Sequence, residues 1–174
     1  RRLGVNDALQ RRPGPDGQVR AADLMTSAGQ SADMTIAGVL LKKLNVPARV
    51  AGLAKAVDLE GIKTLIVVAG YSSKGLGSAG VSREQEIDRV KAVLAAARQR
   101  DAKIVMLHIG GKARRGTQSD EINRLVASAA HHLVVVKAGD EDQFFTKLAT
   151  ERKVPIDLVD RISDATQPLG KLFQ

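Results

Sequence analysis

The 174-residue sequence has no cysteine and no tryptophan, a single tyrosine and three phenylalanines. Without cysteine there are no disulfides and no thiolate chemistry, a composition that fits either the cytosol or an exported protein. With 2% aromatics, a base-stacking surface for single-stranded nucleic acid is not expected, and Val, Ile, Leu and Ala must fill the core. No apolar run reaches membrane-spanning length, so a membrane-spanning chain is not expected either. Carboxylates are outnumbered: 27 Lys and Arg face 19 Asp and Glu, a net charge of +8. That balance favours anionic partners in general, whether phosphates, carboxylates, nucleic acid or acidic lipid, and charge alone does not choose among them. At 44% hydrophobic and 26% charged, the composition is that of a globular protein long enough for one domain with its own core. The chain opens on Arg1 rather than Met, which leaves room for a removed leader, tag or upstream segment.

Residues 64–80, TLIVVAGYSSKGLGSAG, organise the rest. Leu65 to Ala69 are apolar without alternation, the pattern of a strand covered on both faces, and a flexible Gly- and Ser-rich loop with one Lys follows. Upstream, residues 1–20 hold five Arg, two Pro and three Gly without apolar period and read as an extended basic arm or linker. Residues 21–174 read as a single α/β domain. Its expected elements are a strand over 21–26, a helix over 32–44 capped by Ser31, a weak edge strand over 48–52 and a short turn near 57–61. After the loop come a helix over 82–100 opened by a Ser82–Gln85 capping box, a strand over 103–109 and a helix capped by Ser119. A strand over 131–137, a helix over 140–152, an edge strand over 155–159 and a helix near 165–173 complete the chain. Strict alternation predicts a three-layer α/β sandwich, flavodoxin-like or Rossmann-like, with a parallel four- to five-stranded sheet and right-handed crossovers.

In such a topology the loops after the strands meet at one edge of the sheet. Four are polar: 27–33, 71–82, 110–120 and 138–142. Small residues there let backbone N–H groups approach a ligand, and Lys74, Lys112, Arg114 and Arg115 add positive charge, the makings of an oxyanion site. The plainer reading is that Gly and Ser make turns and the cations are solvated. Gly75, Gly77 and Gly80 match G-x-G-x-x-G, but four residues separate Gly75 from Gly70 at the strand end and no acidic residue closes the next strand, so nicotinamide binding is not expected. Leu76 after Gly75 excludes a P-loop. Asp33, Glu84, Glu86, Asp120, Glu121 and Asp140 stand in first turns and suit helix dipoles. A sharper alternative has Asp33 and Asp120 converge on Mg²⁺. His108, at a strand end, is the best general-base candidate, with Ser72 or Ser73 as nucleophile, set against a purely structural histidine. His131 and His132 precede their strand and belong to the opposite edge.

The strings SAGQSAD, SSKGLGSAG and HIGGKARRG, followed by SDE and KAGDEDQFF, resemble a family of small bacterial α/β proteins of unknown function, many of them made with a signal peptide. The resemblance carries over no catalytic residue and no cofactor. It implies an exported, perhaps periplasmic, location; the residues alone leave a cytoplasmic one open. The expected function is a binding module holding a small anionic ligand, carboxylate or phosphate, at the carboxyl edge through Ser27, Gln30, Ser72, Ser73, Lys74, Gly75, His108, Arg114 and Arg115. The alternatives are a hydrolase or transferase using His108 with Ser72 or Ser73, and a protein-partner or nucleic-acid docking domain, nucleic acid being the weaker partner.

Overall fold

Residues 22–173 are described by a computed structural model. The expected basic arm, 1–20, lies outside the described residues. In chain order the elements are β1 (Asp23–Ala28), α1 (Asp33–Lys43), β2 (Arg49–Val50), β3 (Thr64–Ala69), α2 (Ser73–Ala79), α3 (Arg83–Gln99), β4 (Lys103–His108), α4 (Thr117–Ala127), β5 (His132–Val136), α5 (Phe144–Arg152), β6 (Ile156–Val159) and α6 (Thr166–Leu172). The strands form one sheet in the order β2-β1-β3-β4-β5-β6, and every neighbouring pair is parallel. Strand and helix alternation thus gives the expected α/β fold. The sheet has six strands rather than four or five, because β2 joins it through only two residues and β6 through four, edge pairings that need little apolar pattern of their own.

Apolar runs without alternation make sense once both faces are seen to be covered. Along β3, Leu65, Val67 and Ala69 pack into one core with Ile87, Val90 and Leu94 of α3, Ile122 and Val126 of α4 and Phe145 of α5. Ile66 and Val68 face the other core, closed by Ala37, Leu40 and Leu41 of α1 and Leu169 of α6. Leu65, Ile66, Val68 and Ala69 are fully buried; each large aliphatic among them contributes roughly 1.5–3 kcal/mol. The chain moves outward from β1 to β2, then crosses back to β3 on β1's other side and proceeds to β6. The loops leaving β1 and β3 therefore diverge, and the switch point lies between them.

Three local expectations change. The Gly-rich stretch after β3 is largely a helix, α2, because the Ser72 hydroxyl caps it by accepting the Gly75 N–H at 3.0 Å and Leu76 is buried beneath it. Gly80, at φ 72°, ends it as Val81 N–H reaches back to the Leu76 carbonyl at 3.1 Å. The helix capped by Ser119 in the sequence reading instead starts at Thr117, after Gly116, and Ser119 is a buried residue of its first turn. The helix expected from residue 140 starts at Phe144, but the Asp140 carboxylate still serves it, accepting from the N–H groups of Phe145 and Thr146 at 2.7 and 3.3 Å.

Candidate functional site: the carboxyl edge of the sheet

At the switch point the loop after β1 is bolted down from α3. Glu86 is fully buried, and its Oε2 accepts from the Gly29 N–H at 2.8 Å, Gln30 Nε2 at 2.9 Å and Arg89 Nη2 at 2.9 Å. Arg89 spends all five N–H donors: on both Glu86 oxygens, Thr26 Oγ1, and the carbonyls of Ala54 and Ser27. Burial would raise the Glu86 carboxyl, but hydrogen bonds from Arg89, Gly29 and Gln30 outweigh it and hold the group below its ordinary value. Ser27 Oγ accepts the Gln30 N–H at 3.0 Å, and Gln30 Nε2 also donates to the Gly52 carbonyl at 2.9 Å. Gln30 and Ser27 thus shape a turn in which Gln30 takes φ 61°.

The same turn closes on the loop after β3. Gln30 and Tyr71 form an antiparallel bridge, Ser31 N–H donates to the Gly70 carbonyl at 3.2 Å and Ser72 N–H to the Gly29 carbonyl at 2.9 Å. A Cβ on Gly29 would run into the Gly70 carbonyl, and one on Gly75 into the Gln30 carbonyl. Gly75, the first glycine of the G-x-G-x-x-G string, and Gly29 of the partner loop therefore permit two backbones to touch. Ser72 is occupied as the cap of α2, while Ser73 and Lys74 stand exposed on that helix.

Between β3, β4 and β5 a second network takes over. Arg114 Nε donates to Asp33 Oδ2 at 3.2 Å, and its Nη1 to the Tyr71 carbonyl at 3.3 Å. The Arg114 carbonyl lies 3.0 Å from His108 Nε2 and accepts from Asn123 Nδ2 at 3.0 Å. His108 is fully buried, its ring 4.6 Å from that of Phe145, and its Nδ1 has no hydrogen-bond partner. Burial pushes its pKa down, so the ring is neutral at pH 7, with the proton placed on Nε2 by the Arg114 carbonyl. Among the described residues no hydrogen bond joins His108 to Ser72 or Ser73. Asp33 and Asp120 are each paired with a different arginine, and among the described residues no group of three or more His, Asp or Glu side chains is arranged to hold a metal ion.

Arg115 lies at the outer end of this network. Its Nε and Nη2 close on Asp120 at 2.7 and 3.2 Å, its Nη1 and Nη2 on Asp142 at 2.8 Å each, and Nη1 also donates to the Gly139 carbonyl at 2.7 Å. The guanidinium carbon stacks 4.6 Å from the Phe144 ring centre. Asp142 and Asp120 together hold the guanidinium above its ordinary pKa, and Arg115 in turn keeps Asp142 well below the carboxylate range. An open hollow of about 540 Å³ adjoins this group, lined by Lys112, Arg115, Gly116, Asp120, Ala138, Glu141 and Asp142. Lys112 bridges Glu141 across it at 3.0 Å.

The structure thus brings Ser27 to Gln30, Ser72 to Gly75 and His108 to Arg114, and it sets Ser73 and Lys74 apart from the hollow. Glu86, Arg89, Asn123, Glu141 and Asp142 were missed as participants. One signal was available: Glu86 shares a helical stripe with Val90, Val93 and Ala97, all buried, so a charge stands in phase with a core face.

Fold and edge together define a parallel α/β structure whose carboxyl-edge loops are cross-braced by arginine–carboxylate pairs. The family model described as a domain of unknown function (DUF6305) matches residues 20–173, and the chain belongs to that family. No curated protein matches the chain. Among solved structures, a 7,8-dihydropteroate synthase from Vibrio fischeri ES114 is similar at 18% identity and a TM-score of 0.39, over 80% of this chain. The chain spans 45% of that synthase, and so loose an overlap carries nothing of its activity across.

Proposed function

We propose that the domain is a binding module that receives a small anionic ligand, a carboxylate or phosphate, in the hollow between the loops after β4 and β5. The observation that carries this reading is the Arg115 fork, which already closes on a carboxylate that forms part of the wall of an open hollow. The two carboxylates on it are unequal. Asp120 is 26% exposed and further held by Asn123, whereas Asp142 is 61% exposed. An incoming carboxylate or phosphate oxygen pair matches the geometry of Asp142 and would displace it, while Asp120 and the Phe144 ring keep the guanidinium aimed. Lys112, released from Glu141, would supply a second cation. Arg114 has no part in this, being committed to Asp33 and the Tyr71 carbonyl. An exported, periplasmic setting belongs to the same reading and rests on the SAGQS, SSKGLG and HIGGKARRG strings; among the described residues no helix is long and apolar enough to cross a membrane.

The test is calorimetric titration of the full chain with a panel of mono- and dicarboxylates and inorganic phosphate. Asp142→Ala removes the internal competitor and is expected to tighten binding by about tenfold, the equivalent of one charge-assisted hydrogen bond. Arg115→Ala and Lys112→Ala should weaken it, with melting temperature checking the fold. Absence of binding in both the native chain and Asp142→Ala, or an affinity indifferent to all three substitutions, overturns the proposal.

A further inference from the structure

Two tight turns face each other across the hollow. One runs from Lys112 to Arg115 and is closed by the Arg115 N–H donating to the Lys112 carbonyl at 3.1 Å, so its two ends carry the cations that line the hollow. The other runs from Asp140 to Gln143 and is closed by the Gln143 N–H donating to the Asp140 carbonyl at 2.9 Å. Its two central residues are Glu141 and Asp142, adjacent acids whose carboxylates lie on Lys112 Nζ at 3.0 Å and on the Arg115 fork at 2.8 Å. Other contacts hold this turn in place. Asp140 anchors it to α5 through the Phe145 and Thr146 N–H groups and the Thr146 hydroxyl, and the Gly139 carbonyl just ahead of it accepts from Arg115 Nη1 at 2.7 Å. A Cβ on Gly139 would come within 2.9 Å of His108 Nδ1, so the backbone there rests on the buried imidazole.

We propose that the hollow takes a dicarboxylate, whose two groups replace Asp142 on Arg115 and Glu141 on Lys112 together. The inference rests on the reading of the hollow as an anion receptor and specifies its ligand. Two carboxylates borne on neighbouring residues of one tight turn are a tethered pair, and they show which pair of anions the two cations hold at the same time. Arg115 meets Asp142 through two parallel N–H···O bonds of 2.8 Å, the planar pairing that a carboxylate makes. Lys112 meets Glu141 as a single ammonium. A ligand with one carboxylate exchanges for Asp142 alone and leaves Lys112 with Glu141. A ligand with two makes the second contact within a complex already formed, without a second loss of translational freedom. Both internal acids are free to leave. The Glu141 and Asp142 side chains are each 61% exposed, so water hydrates the released carboxylates. Asp142 also keeps a partner in the Phe144 N–H, which its Oδ1 already accepts at 3.2 Å.

The experiment is calorimetric titration of the full chain with acetate, with malonate, succinate, glutarate and adipate, and with inorganic phosphate, repeated in Asp142→Asn so that weak ligands register. The best dicarboxylate should bind about fivefold tighter than acetate, the upper end for one further solvent-exposed ion pair. Lys112→Gln should bring that ratio close to unity, and added salt should shrink it, since Lys112 is exposed. Lys74→Gln, on α2, should leave the ratio unchanged. A ratio near unity in both the native chain and Asp142→Asn, a ratio indifferent to Lys112→Gln, or phosphate binding tighter than every dicarboxylate overturns the dicarboxylate assignment, while acetate binding that depends on Arg115 still upholds the receptor. Absence of binding by every anion in both proteins is the separate outcome that overturns the receptor, and the dicarboxylate assignment with it.

Discussion

Among the described residues, Arg89 and Arg115 each use all five N–H donors, yet their surroundings give them opposite consequences. Around Arg89 everything is enclosed: Glu86 is fully buried, and three backbone carbonyl or amide groups depend on the pair. Glu86→Ala would strip two of the five hydrogen bonds from the largely buried Arg89, leave its charge without a carboxylate and orphan the Gly29 N–H, a situation that costs about 3–5 kcal/mol. Urea unfolding measures this, and a loss below about 1 kcal/mol would show the network to be incidental. Arg115 has the same number of bonds, but Asp142 faces solvent, and an exposed ion pair contributes little to stability because water competes for both charges. Completeness of hydrogen bonding therefore does not by itself say how much a pair contributes to stability; the exposure of the partner does. Glu86 reads in sequence as one more acid suiting a helix dipole, because its partners Gly29 and Gln30 are more than fifty residues away.

At the scale of elements, α2 separates local propensity from tertiary demand. Three glycines among its residues and cap make SKGLGSAG a poor helix by composition. It forms because Ser72 caps it, Leu76 buries and Gly80 ends it. Gly77 and Gly75 make this testable. A Cβ at Gly77 meets nothing within 4 Å, so Gly77→Ala should stabilise the protein by up to about 1 kcal/mol. Gly75→Ala, which drives a methyl into the Gln30 carbonyl, should destabilise it by more than that and loosen the β1–β3 loop pairing. Melting temperatures of the two variants that moved in the same direction would refute the division of labour between these glycines.

At the level of the whole molecule, Arg114 and Arg115 at the carboxyl edge are answered by Asp33, Asp120 and Asp142. Folding is also coupled to pH through His108. Its folded pKa is lowered by burial from 6.5, so as pH falls below about 6.5 the unfolded chain takes up a proton that the folded one refuses. Stability should therefore decline from about pH 6.5 downward until the depressed folded value is passed, ahead of most carboxylate titration near pH 4. Denaturation midpoints across that window, compared between the native chain and His108→Gln, isolate the contribution from that of His131. A slope unchanged by the substitution would remove His108 as its source.

The sequence carries the class of fold in runs such as LIVVA and IVML, whose lack of alternation fits strands covered on both sides and whose spacing by amphipathic stretches points to parallel pairing. It also brought Ser27, Ser72, His108 and Arg115 to one edge, since every strand in a parallel sheet points the same way. Tertiary structure alone decided what those residues do there. Whether a glycine cradles a ligand or lets two loops touch, and whether an arginine awaits an anion or already holds one, depends on partners tens of residues distant. Those partners, Gln30 for Gly75 and Asp142 for Arg115, become neighbours only once the crossovers have set the strand order.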